Sequence, residues 1–444
     1  MQGKVNAVSP IGFDEFVFLM KACGELGKSK HLAVGVSGGV DSMALCLLAS
    51  LWGRANGVRI TALIVDHGLR DASSAEAAQV AAWLLKLDIQ HQTLTINKLK
   101  PKTRIQEIAR GWRFSAFDEW CRTNDSTAVL LAHTLEDQVE TLCMRIAADT
   151  GPDGLSGMRK SVRVAGLNIG RPLLSIPKTR LISTCRFHKQ IWINDPSNLD
   201  IRFTRVYWRN LQTVIEEVGL CKRTVERLST AMGTTRSFID QACQDFIRSS
   251  GGVSPLGLFW LGSLDFSKLP LKFSELMMSR ILKAVGGAKK PIRKIKVTAL
   301  CQQLLENSSV TKTLSGCVIE KLNNGWIWIY KEYSKCSSTT ALACSGRWDN
   351  RFEMTSFINE PLDIGPLGEN GWSQLKKNAS QRSELATLYD VPYGARLSLP
   401  VARHLDGTLS IPHFKGRRLL SPPEDEALVT ALFKPDSDWI CELL

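Results

Sequence analysis

Short apolar runs alternate with amphipathic stretches through the first two hundred residues of this 444-residue chain. The apolar runs predict β-strands at residues 31–36, 59–66, 89–96, 126–133 and 191–195. The stretches between them have the apolar spacing of helices, near residues 41–53, 74–86, 105–122, 136–149 and 181–189. Strands that alternate with helices of this length predict an α/β fold with a doubly wound parallel sheet.

The pattern changes beyond about residue 215. Apolar residues at helical spacing predict three further helices, over 224–250, 270–287 and 297–307. We expect the first of these to break near Gly233. Residues 311–332 alternate around an Asn-Asn-Gly turn that ends at Gly325, which is typical of a β-hairpin.

Three domains follow from this change of pattern. We expect the α/β domain over residues 1–215, a mostly helical domain over 216–332 and a small mixed domain over 348–444. Residues 333–347 have the composition of a linker between the second and third domains.

Composition narrows the class of protein. The net charge of +13 favours a polyanionic partner, with an ordinary basic surface as the alternative. The twelve cysteines include no C-x-x-C pair, which disfavours structural zinc and iron–sulfur sites and fits reduced thiols. The chain lacks a run of about 18 apolar residues, and its first residues do not resemble a signal or transit peptide. We therefore expect a cytoplasmic protein with no membrane partner.

The hexapeptide SGGVDS, which begins at Ser37, predicts a phosphate-binding turn between a strand and a helix. Gly38 and Gly39 let backbone N–H groups approach an anion, and the following helix directs its positive end to the same place. Ser42 adds a second hydroxyl donor. The lysine of a nucleoside-triphosphate loop is absent, and Asp41 beside phosphates requires a Mg²⁺ ion between them. The alternative is a simple turn in which Asp41 complements the helix dipole.

Polar residues follow two other predicted strands. Asp66 ends the second strand and His133 ends the fourth, and in a parallel sheet these ends lie at the same edge as the SGGVDS loop. Glu136 and Asp137 open the next helix, where their carboxylates suit a Mg²⁺ site shared with the loop aspartate. The alternative is that both acids only complement the dipole of that helix.

Arginines mark the helix over 105–122. Arg110 and Arg113 share a face with Phe117 at spacings of three and four residues. Phe114 and Trp120 form the side that we expect to pack on the core. The arginines either face the ligand edge of the sheet or lie on the solvated face of an amphipathic helix.

The S-G-G-x-D-S motif after a first strand resembles the signature of the N-type ATP pyrophosphatases, which have the adenine nucleotide alpha hydrolase-like fold. Five later stretches narrow the resemblance: IVDHGLRDASSAEA, AHTLEDQVETLCMRI, GLSGM, RPLLSIPK and DPSNLDIRFTRVYWRN. Together they are similar to the tRNA(Ile)-lysidine synthetases over about residues 30–215. The basic helical segment that follows matches more loosely.

The resemblance implies a ligase that forms carbon–nitrogen bonds. ATP adenylates the oxygen on carbon 2 of the wobble cytidine in tRNA(Ile) with a CAU anticodon, and pyrophosphate leaves. The amine of L-lysine then attacks carbon 2 and AMP leaves, which produces lysidine. A loop that holds a leaving pyrophosphate, and not a transferred γ-phosphate, explains the missing lysine.

The resemblance also assigns residues. It implies ATP binding by Ser37, Gly38, Gly39, Val40, Asp41, Ser42 and Asp66. It implies Mg²⁺ binding by Asp41, Glu136 and Asp137, and catalytic roles for Asp41, His133, Asp137 and Arg113. The family pattern H-x-x-D-D-Q has aspartate at the position of Glu136, so this chain keeps the charge on a longer side chain.

The expected tRNA-binding residues are basic and lie later in the chain. They are Arg205, Arg209, Lys289, Lys290 and Arg293. A basic stripe interleaved with Phe203 and Trp208 suits an RNA backbone, whereas a solvated charged face is the alternative for the cluster around Arg293. Some bacterial members of the family form homodimers, and no residue pattern here decides the oligomeric state.

Three alternatives remain at this point. A tRNA thiolase normally needs cysteines in C-x-x-C pairs or a loop cysteine, and neither is visible. Relatives such as GMP or NAD synthetases need an ammonia source, and no glutaminase domain is visible. A non-catalytic tRNA-binding protein on a decayed fold is disfavoured by the intact SGGVDS loop.

Overall fold

The computed structural model describes residues 8–24, 26, 29–68, 73–96, 103, 105–126, 128–164, 167–193, 208, 221–287, 292–342, 345–358, 360–377, 388–412, 429–435, 438–440 and 443. The chain divides into two compact units, Met1–Phe238 and Ile239–Leu444. The division falls inside a helix of 29 residues. The three predicted domain boundaries stay a prediction.

The first unit is built around one six-stranded sheet. Its strands are β1 His31–Val36, β2 Arg59–Asp66, β3 His91–Thr95, β4 Ala128–Leu130, β5 Ser161–Val164 and β6 Leu167–Gly170. Its helices are α1 Phe13–Lys21, α2 Val40–Asn56, α3 Ser73–Lys86, α4 Ile105–Thr123, α5 Leu135–Ala147, α6 Pro152–Leu155, α7 Lys178–Phe187 and the start of α8 Lys222–Ser250. The strand order is β3-β2-β1-β4-β6-β5, and only β5 pairs antiparallel. The predicted doubly wound parallel sheet is confirmed, with an antiparallel edge strand added.

The core of this unit lies on both faces of β1. Leu32 and Val34 pack with α1, α2 and α3 on one face, while Ala33 packs with Phe117 of α4 on the other. A strand buried on both faces reads as a continuous apolar run, which is why the sequence revealed β1 directly. Twelve of the 17 residues of α2 are buried, so this helix is apolar almost all round.

One predicted strand is wrong. Residues 191–193, the described part of the segment 191–195, form no strand. The two parallel neighbours of β4 are β1 and β6. The apolar segment packs instead on the loop after β1. The Ile193 amide donates a hydrogen bond of 2.9 Å to the Gly38 carbonyl. A tertiary contact has therefore overridden a local strand pattern.

Helix α8 runs unbroken through Gly233, contrary to the predicted break. A glycine in mid-helix costs about 1 kcal/mol relative to alanine. Buried apolar residues on either side offset this cost, among them Val225 and Ile247, which are each 1% exposed. Packing therefore decides the continuity of this helix.

The second unit combines helices with three smaller sheets. Its further helices are α9 Ser263–Ser267, α10 Leu271–Gly286, α11 Lys294–Glu306, α12 Gly368–Lys377 and α13 Tyr393–Leu397. Its strands begin with β7 Gly251–Ser254, β8 Leu258–Gly262, β9 Val310–Leu314, β10 Cys317–Lys321 and β11 Trp326–Lys331. They continue with β12 Thr340–Leu342, β13 Ser345–Trp348, β14 Phe352–Ser356, β15 Leu362–Pro366, β16 Pro400–Arg403, β17 Leu409–Ser410 and β18 Val429–Phe433. Two short 3₁₀ turns lie at Tyr333–Lys335 and Asp438–Ile440.

The middle of the chain holds more strand than the sequence indicated. Strands β7, β8, β11, β10 and β9 form one antiparallel sheet beside the predicted helices. The predicted hairpin is confirmed as β10 and β11, with Gly325 at φ +88° in its turn. The segment 333–347, predicted to be a linker, contains β12 and the start of β13. None of the helices that the structure describes is long and apolar enough to cross a membrane.

The side chain of Gln138 in α5 ties the GLSGM segment to helix α8. Its amide accepts a hydrogen bond of 2.7 Å from the Met158 amide and donates to the Met158 carbonyl and to Ser229 Oγ. Ser229 in turn donates to the Ser156 carbonyl. Gly157 has a φ of +67°, and a Cβ there would lie 2.5 Å from the Gln138 amide nitrogen. The segment therefore closes tightly over a buried amide.

We predict that Gln138→Ala destabilises the first unit by about 1–2 kcal/mol, because it removes the partner of the half-buried N–H and C=O groups of Met158 and of the buried Ser229 hydroxyl. Urea unfolding followed by tryptophan fluorescence measures this loss. Gln79→Ala, at an exposed position of α3, is the control and should change the free energy of unfolding by less than about 0.5 kcal/mol. Equal effects of the two substitutions would contradict the structural role of Gln138.

The turn between β1 and α2 depends on one of its two glycines. Gly38 has a φ of +82°, and a Cβ there would lie 2.6 Å from Val80 Cγ2 and 2.9 Å from Ile193 Cδ1. Gly39 has an ordinary φ of −71°, and the nearest atom to a Cβ there is Ser37 Oγ at 3.7 Å. Only Gly38 is therefore required by conformation and by space.

We predict that Gly38→Ala lowers the free energy of unfolding by at least about 1–2 kcal/mol, the cost of a left-handed residue with a Cβ, with the clash in addition. Gly39→Ala should change it by less than about 0.5 kcal/mol. The same urea experiment compares the two variants. A Gly39→Ala variant as unstable as Gly38→Ala would show that the turn constrains both positions.

Candidate active site

A cavity of about 540 Å³ lies at the carboxyl ends of β1, β2 and β4. The strand order reverses between β1 and β4, and ligands of open α/β sheets bind at this switch point. The wall includes the SGGVDS loop, α3, α4 and the residues after β4. Its polar members are Ser37, Asp41, Ser42, His67, Ser73, Glu76, Arg110, Arg113, His133 and Asp137.

The SGGVDS loop is held in shape by Ser42. The Ser37 amide donates to Ser42 Oγ at 3.1 Å, and Ser42 Oγ donates to the Gly39 carbonyl at 2.9 Å. Gly39 is the N-cap of α2, so the amides of the first turn of α2 begin at the cavity. Val40 is 5% exposed and packs in the core, so it anchors the loop from below. The loop can thus offer backbone N–H groups and the Ser37 hydroxyl to an anion.

Asp41 is the acid of the loop. Its Oδ2 lies 3.5 Å from Lys178 Nζ, while its Oδ1 is buried and makes no hydrogen bond with any described residue. Burial, together with the charges of Asp137 and Glu136, raises the pKa of Asp41 to about 6, in spite of the attraction of Lys178. A carboxylate oxygen buried without a donor is a position where a bound cation would be stabilised.

Lys178 brings to the loop the cation that the loop sequence lacks. It is the first residue of α7, and its backbone amide donates 2.9 Å to Glu136 Oε2. Its ammonium group is 43% exposed and faces Asp41. The only sequence signal for this residue was its place at the end of the RPLLSIPK motif.

Glu136 and Asp137 both have structural partners. Asp137 Oδ2 accepts from the Thr134 amide at 2.9 Å and from its hydroxyl at 3.2 Å, which forms a capping box for α5. Glu136 accepts the first amide of α7, as described above. Each acid therefore gives one oxygen to a backbone amide at a helix N-terminus.

The donor set partly fits a Mg²⁺ ion. Asp41, Glu136 and Asp137 all line a second, smaller cavity of about 230 Å³, together with Lys178. The orphaned Asp41 Oδ1 is an oxygen ligand of the kind Mg²⁺ prefers. Among the described residues, however, no three His, Cys, Asp or Glu side chains converge as a preformed metal cluster.

Asp66 has a structural role that its sequence context did not reveal. Its carboxylate accepts hydrogen bonds from Ser73 Oγ, Ser74 Oγ and the Gly68 amide at 2.5, 2.6 and 2.9 Å. The two serine hydroxyls hold the pKa of Asp66 below its usual range. Asp66 is not among the residues that line the cavity, whereas the next residue, His67, is. Asp66 therefore orders the start of α3, and its contact with ATP stays a prediction.

The opposite wall is basic. Arg110 and Arg113 line the cavity from α4, and their guanidinium groups lie 4.9 and 5.9 Å from the centre of the Phe114 ring. Phe117 lines the cavity and is also buried in the core, at 1% exposed. Burial and the charge of Arg113 lower the pKa of His67. The predicted arginine face thus points to the ligand edge.

His133 follows β4 and lines the cavity. Its Nδ1 accepts a hydrogen bond of 3.2 Å from Nε of Arg171, the first residue of the RPLLSIPK motif. Sequence reasoning did not select Arg171. Its pairing with His133 follows from the parallel register of β4 and β6, which places the residues after both strands at one edge.

Four of the predicted tRNA-binding residues lie outside the described residues: Arg205, Arg209, Lys289 and Lys290. Arg293 is described and is the exposed N-cap of α11, which continues with the exposed Lys294 and Lys296. Cations at a helix N-terminus are unfavourable for the helix dipole. The cluster therefore opposes the dipole of α11, and its role in RNA binding stays a prediction.

Comparisons with known proteins identify the family of this chain. A family model of the PP-loop domain matches residues 17–217. A tRNA(Ile)-lysidine synthase of Ruegeria pomeroyi is 30% identical over 81% of this chain and 85% of its own length. Another from Wolbachia pipientis wMel is 31% identical over 76% of this chain and 79% of its own. A solved U34-tRNA thiolase, NcsA from Methanococcus maripaludis, overlaps 49% of this chain and 78% of its own at a TM-score of 0.43 and 14% identity, too little for a statement on function. With full-length relatives at this level of identity, the chain belongs to the tRNA(Ile)-lysidine synthase family.

Proposed function

We propose that this protein converts the wobble cytidine of tRNA(Ile) with a CAU anticodon into lysidine, with ATP and L-lysine as the other substrates. The observation that carries the proposal is the SGGVDS loop at the switch point, with Asp41 and Lys178 on one side and His133 and Arg113 on the other. Family membership indicates the substrate. The charged side chains around the cavity can neutralise the charges that develop in the reaction.

In the first step, the oxygen on carbon 2 of cytidine attacks the α-phosphorus of ATP. The bond between the α- and β-phosphates breaks and pyrophosphate leaves. We assign the SGGVDS loop to the pyrophosphate end, because its amides and hydroxyls are donors at a helix N-terminus. Lys178 lies beside the loop and would neutralise phosphate charge. Mg²⁺ held by Asp41 and Asp137 would supply further charge neutralisation.

In the second step, the lysine amine attacks carbon 2 and loses a proton. The bond from carbon 2 to the adenylate oxygen breaks, and AMP leaves with that oxygen. Negative charge therefore develops next to the α-phosphate. We assign Arg113 and His133 to that charge, since both line the larger cavity, whereas Lys178 lines the smaller one.

The cysteines argue against sulfur transfer. Ten described cysteines are free, and eight of them are buried. None of them lines the cavity. The thiol beside the loop, Cys185, is buried with its S–H directed to the Val40 carbonyl, and burial holds its pKa at about 12. A thiolase needs a reactive thiolate, which burial of this kind suppresses.

Free buried thiols are also what a reducing compartment maintains. We therefore assign the reaction to the cytoplasm. Homodimer formation, which the family resemblance raised, stays a prediction.

The direct test incubates the protein with a CAU tRNA, ATP and isotopically labelled lysine. We predict that mass spectrometry of the digested tRNA finds labelled lysidine and that sustained pyrophosphate release depends on both lysine and the CAU tRNA. Asp41→Asn should abolish product and leave tRNA affinity unchanged, because the loop holds phosphate and not RNA. Asp14→Asn is the matched control, an exposed acid in the first turn of α1.

If Asp41→Asn formed the full amount of product, Asp41 would only complement the dipole of α2, which is the alternative raised in the sequence analysis. Labelled product absent with the wild-type protein, while ATP is still cleaved, would instead refute lysidine formation. The Asp14→Asn control separates these outcomes from a general loss of helix stability.

The basic cluster around α11 gives a second test. We predict that Arg293→Ala with Lys294→Ala weakens tRNA binding and lowers the slope of log affinity against log salt by roughly one per lost phosphate contact. Adding Lys289→Ala and Lys290→Ala should lower the slope further. Filter binding between low and moderate salt measures both slopes.

The control for charge is Arg54→Ala with Lys86→Ala. These exposed cations lie in the last turns of α2 and α3, away from the ligand edge of the sheet. An equal change of slope in this control would assign the effect to net charge alone. An unchanged slope in the cluster variants would make the cluster an ordinary solvated surface.

A further inference from the structure

Arg171 is a buried cation, and no step assigned above uses it. Arg171 is 4% exposed and directly follows β6. Its backbone amide donates 2.7 Å to the Lys160 carbonyl, and its Nη1 donates 3.0 Å to the Arg159 carbonyl. The first bond holds the backbone of Arg171 beside the residue before β5, and the second holds its guanidinium group there. The Nε of the same guanidinium group contacts His133.

That contact determines which nitrogen of His133 carries the proton. A guanidinium group has only N–H donors and no acceptor. Since Arg171 Nε donates to His133 Nδ1 at 3.2 Å, Nδ1 must offer its lone pair. The proton of the neutral imidazole is therefore on Nε2.

The same contact opposes a second proton on the ring. An imidazolium would direct an Nδ1–H at the buried Arg171 guanidinium, and a half-buried positive charge would then face a buried one. Burial and the nearby Arg110 lower the pKa of Arg171 only to about 10, so it stays charged at neutral pH. His133 thus lies between a fixed cation and the cavity.

We propose that Arg171 is a positioning residue that holds His133 as the Nε2–H tautomer, so that His133 donates a hydrogen bond into the cavity and takes no proton there. This rests on the proposed function for the identity of the acceptor, an oxygen of the adenylated cytidine. As AMP leaves, negative charge grows on that oxygen, and a fixed neutral donor stabilises it without a proton transfer.

The first test is spectroscopic and needs no activity. Protein labelled with ¹⁵N-histidine is examined without substrates, and the His133 signals are assigned by their loss in His133→Gln. We expect Nδ1 at the shift of an unprotonated nitrogen and Nε2 at that of a protonated one. A protonated Nδ1 in the wild-type protein overturns the proposal.

Two variants of Arg171 separate positioning from packing. Arg171→Lys keeps a buried donor and a charge, whereas Arg171→Met keeps an apolar stem and removes both. We expect the lysine variant to keep the Nε2–H tautomer and most of kcat. The methionine variant should show mixed tautomers and a kcat at least about tenfold lower, with the KM for ATP less affected. A pure Nε2–H tautomer in Arg171→Met would show that Arg171 does not set it.

Substitutions of His133 test the donor role itself. Glutamine places its amide nitrogen near the position of Nε2, and asparagine places its own near Nδ1. We expect His133→Gln to retain about tenfold or more kcat over His133→Asn, because only glutamine can donate into the cavity. Equal losses with both, down to the level of His133→Ala, would indicate a proton acceptor and overturn the donor role.

The outcomes remain distinct from those of the lysidine test. Absence of lysidine with the wild-type protein would refute the proposed function and leave the tautomer measurement valid. Lysidine formation together with an Nδ1–H tautomer would refute the role of Arg171 and leave the function in place.

Discussion

The parallel pairing of β1 with β2 on one side and β4 on the other is the constraint on which the site depends. It brings three chain segments far apart in sequence to one edge of the sheet. At that edge the SGGVDS loop, His67 and His133 face a single cavity. The strands themselves hold this edge rigid because β1 is buried on both faces. Binding groups on the short loops that follow these strands are therefore held in place by the rigid core.

The charged side chains around the cavity suit a polyphosphate and its counter-ions. Carboxylates of Asp41, Glu136 and Asp137 gather on one side, with Lys178 among them. Arg110 and Arg113 occupy the other side. Burial raises the pKa of Asp41 in spite of the nearby Lys178. A site with an uncompensated acid beside a phosphate loop favours a ligand that brings both anion and metal.

The sequence predicted those parts of the fold and site that are local. Strand β1, helix α2 and the turn between them follow from an apolar run and two glycines in adjacent positions, and the structure confirms them. The family assignment is likewise confirmed by full-length relatives. The strand expected at 191–195 failed because Ile193 packs on the loop at Gly38, a contact between distant segments that no local pattern encodes.

The same limit explains the residues that were missed. Lys178 reaches Asp41 only because α7 begins beside α5, with Glu136 accepting its first amide. Arg171 reaches His133 only because β6 pairs with β4. Asp66 was read as a ligand for ATP from its place at a strand end, and the structure adds three bonds that order α3. A role that depends on contact between two side chains distant in sequence can be recognised only in the folded structure.

Glu136 and Asp137 show that the structural and chemical interpretations of a motif need not exclude each other. Each acid gives one oxygen to a helix N-terminus, which fixes its position. A carboxylate held in this way loses little freedom when it binds a cation, so capping prepares it for binding. The extra methylene of Glu136 then has a use, since its carboxylate extends from α5 to the first amide of α7. That amide belongs to Lys178, so the same glutamate that departs from the family pattern also places the lysine beside the loop.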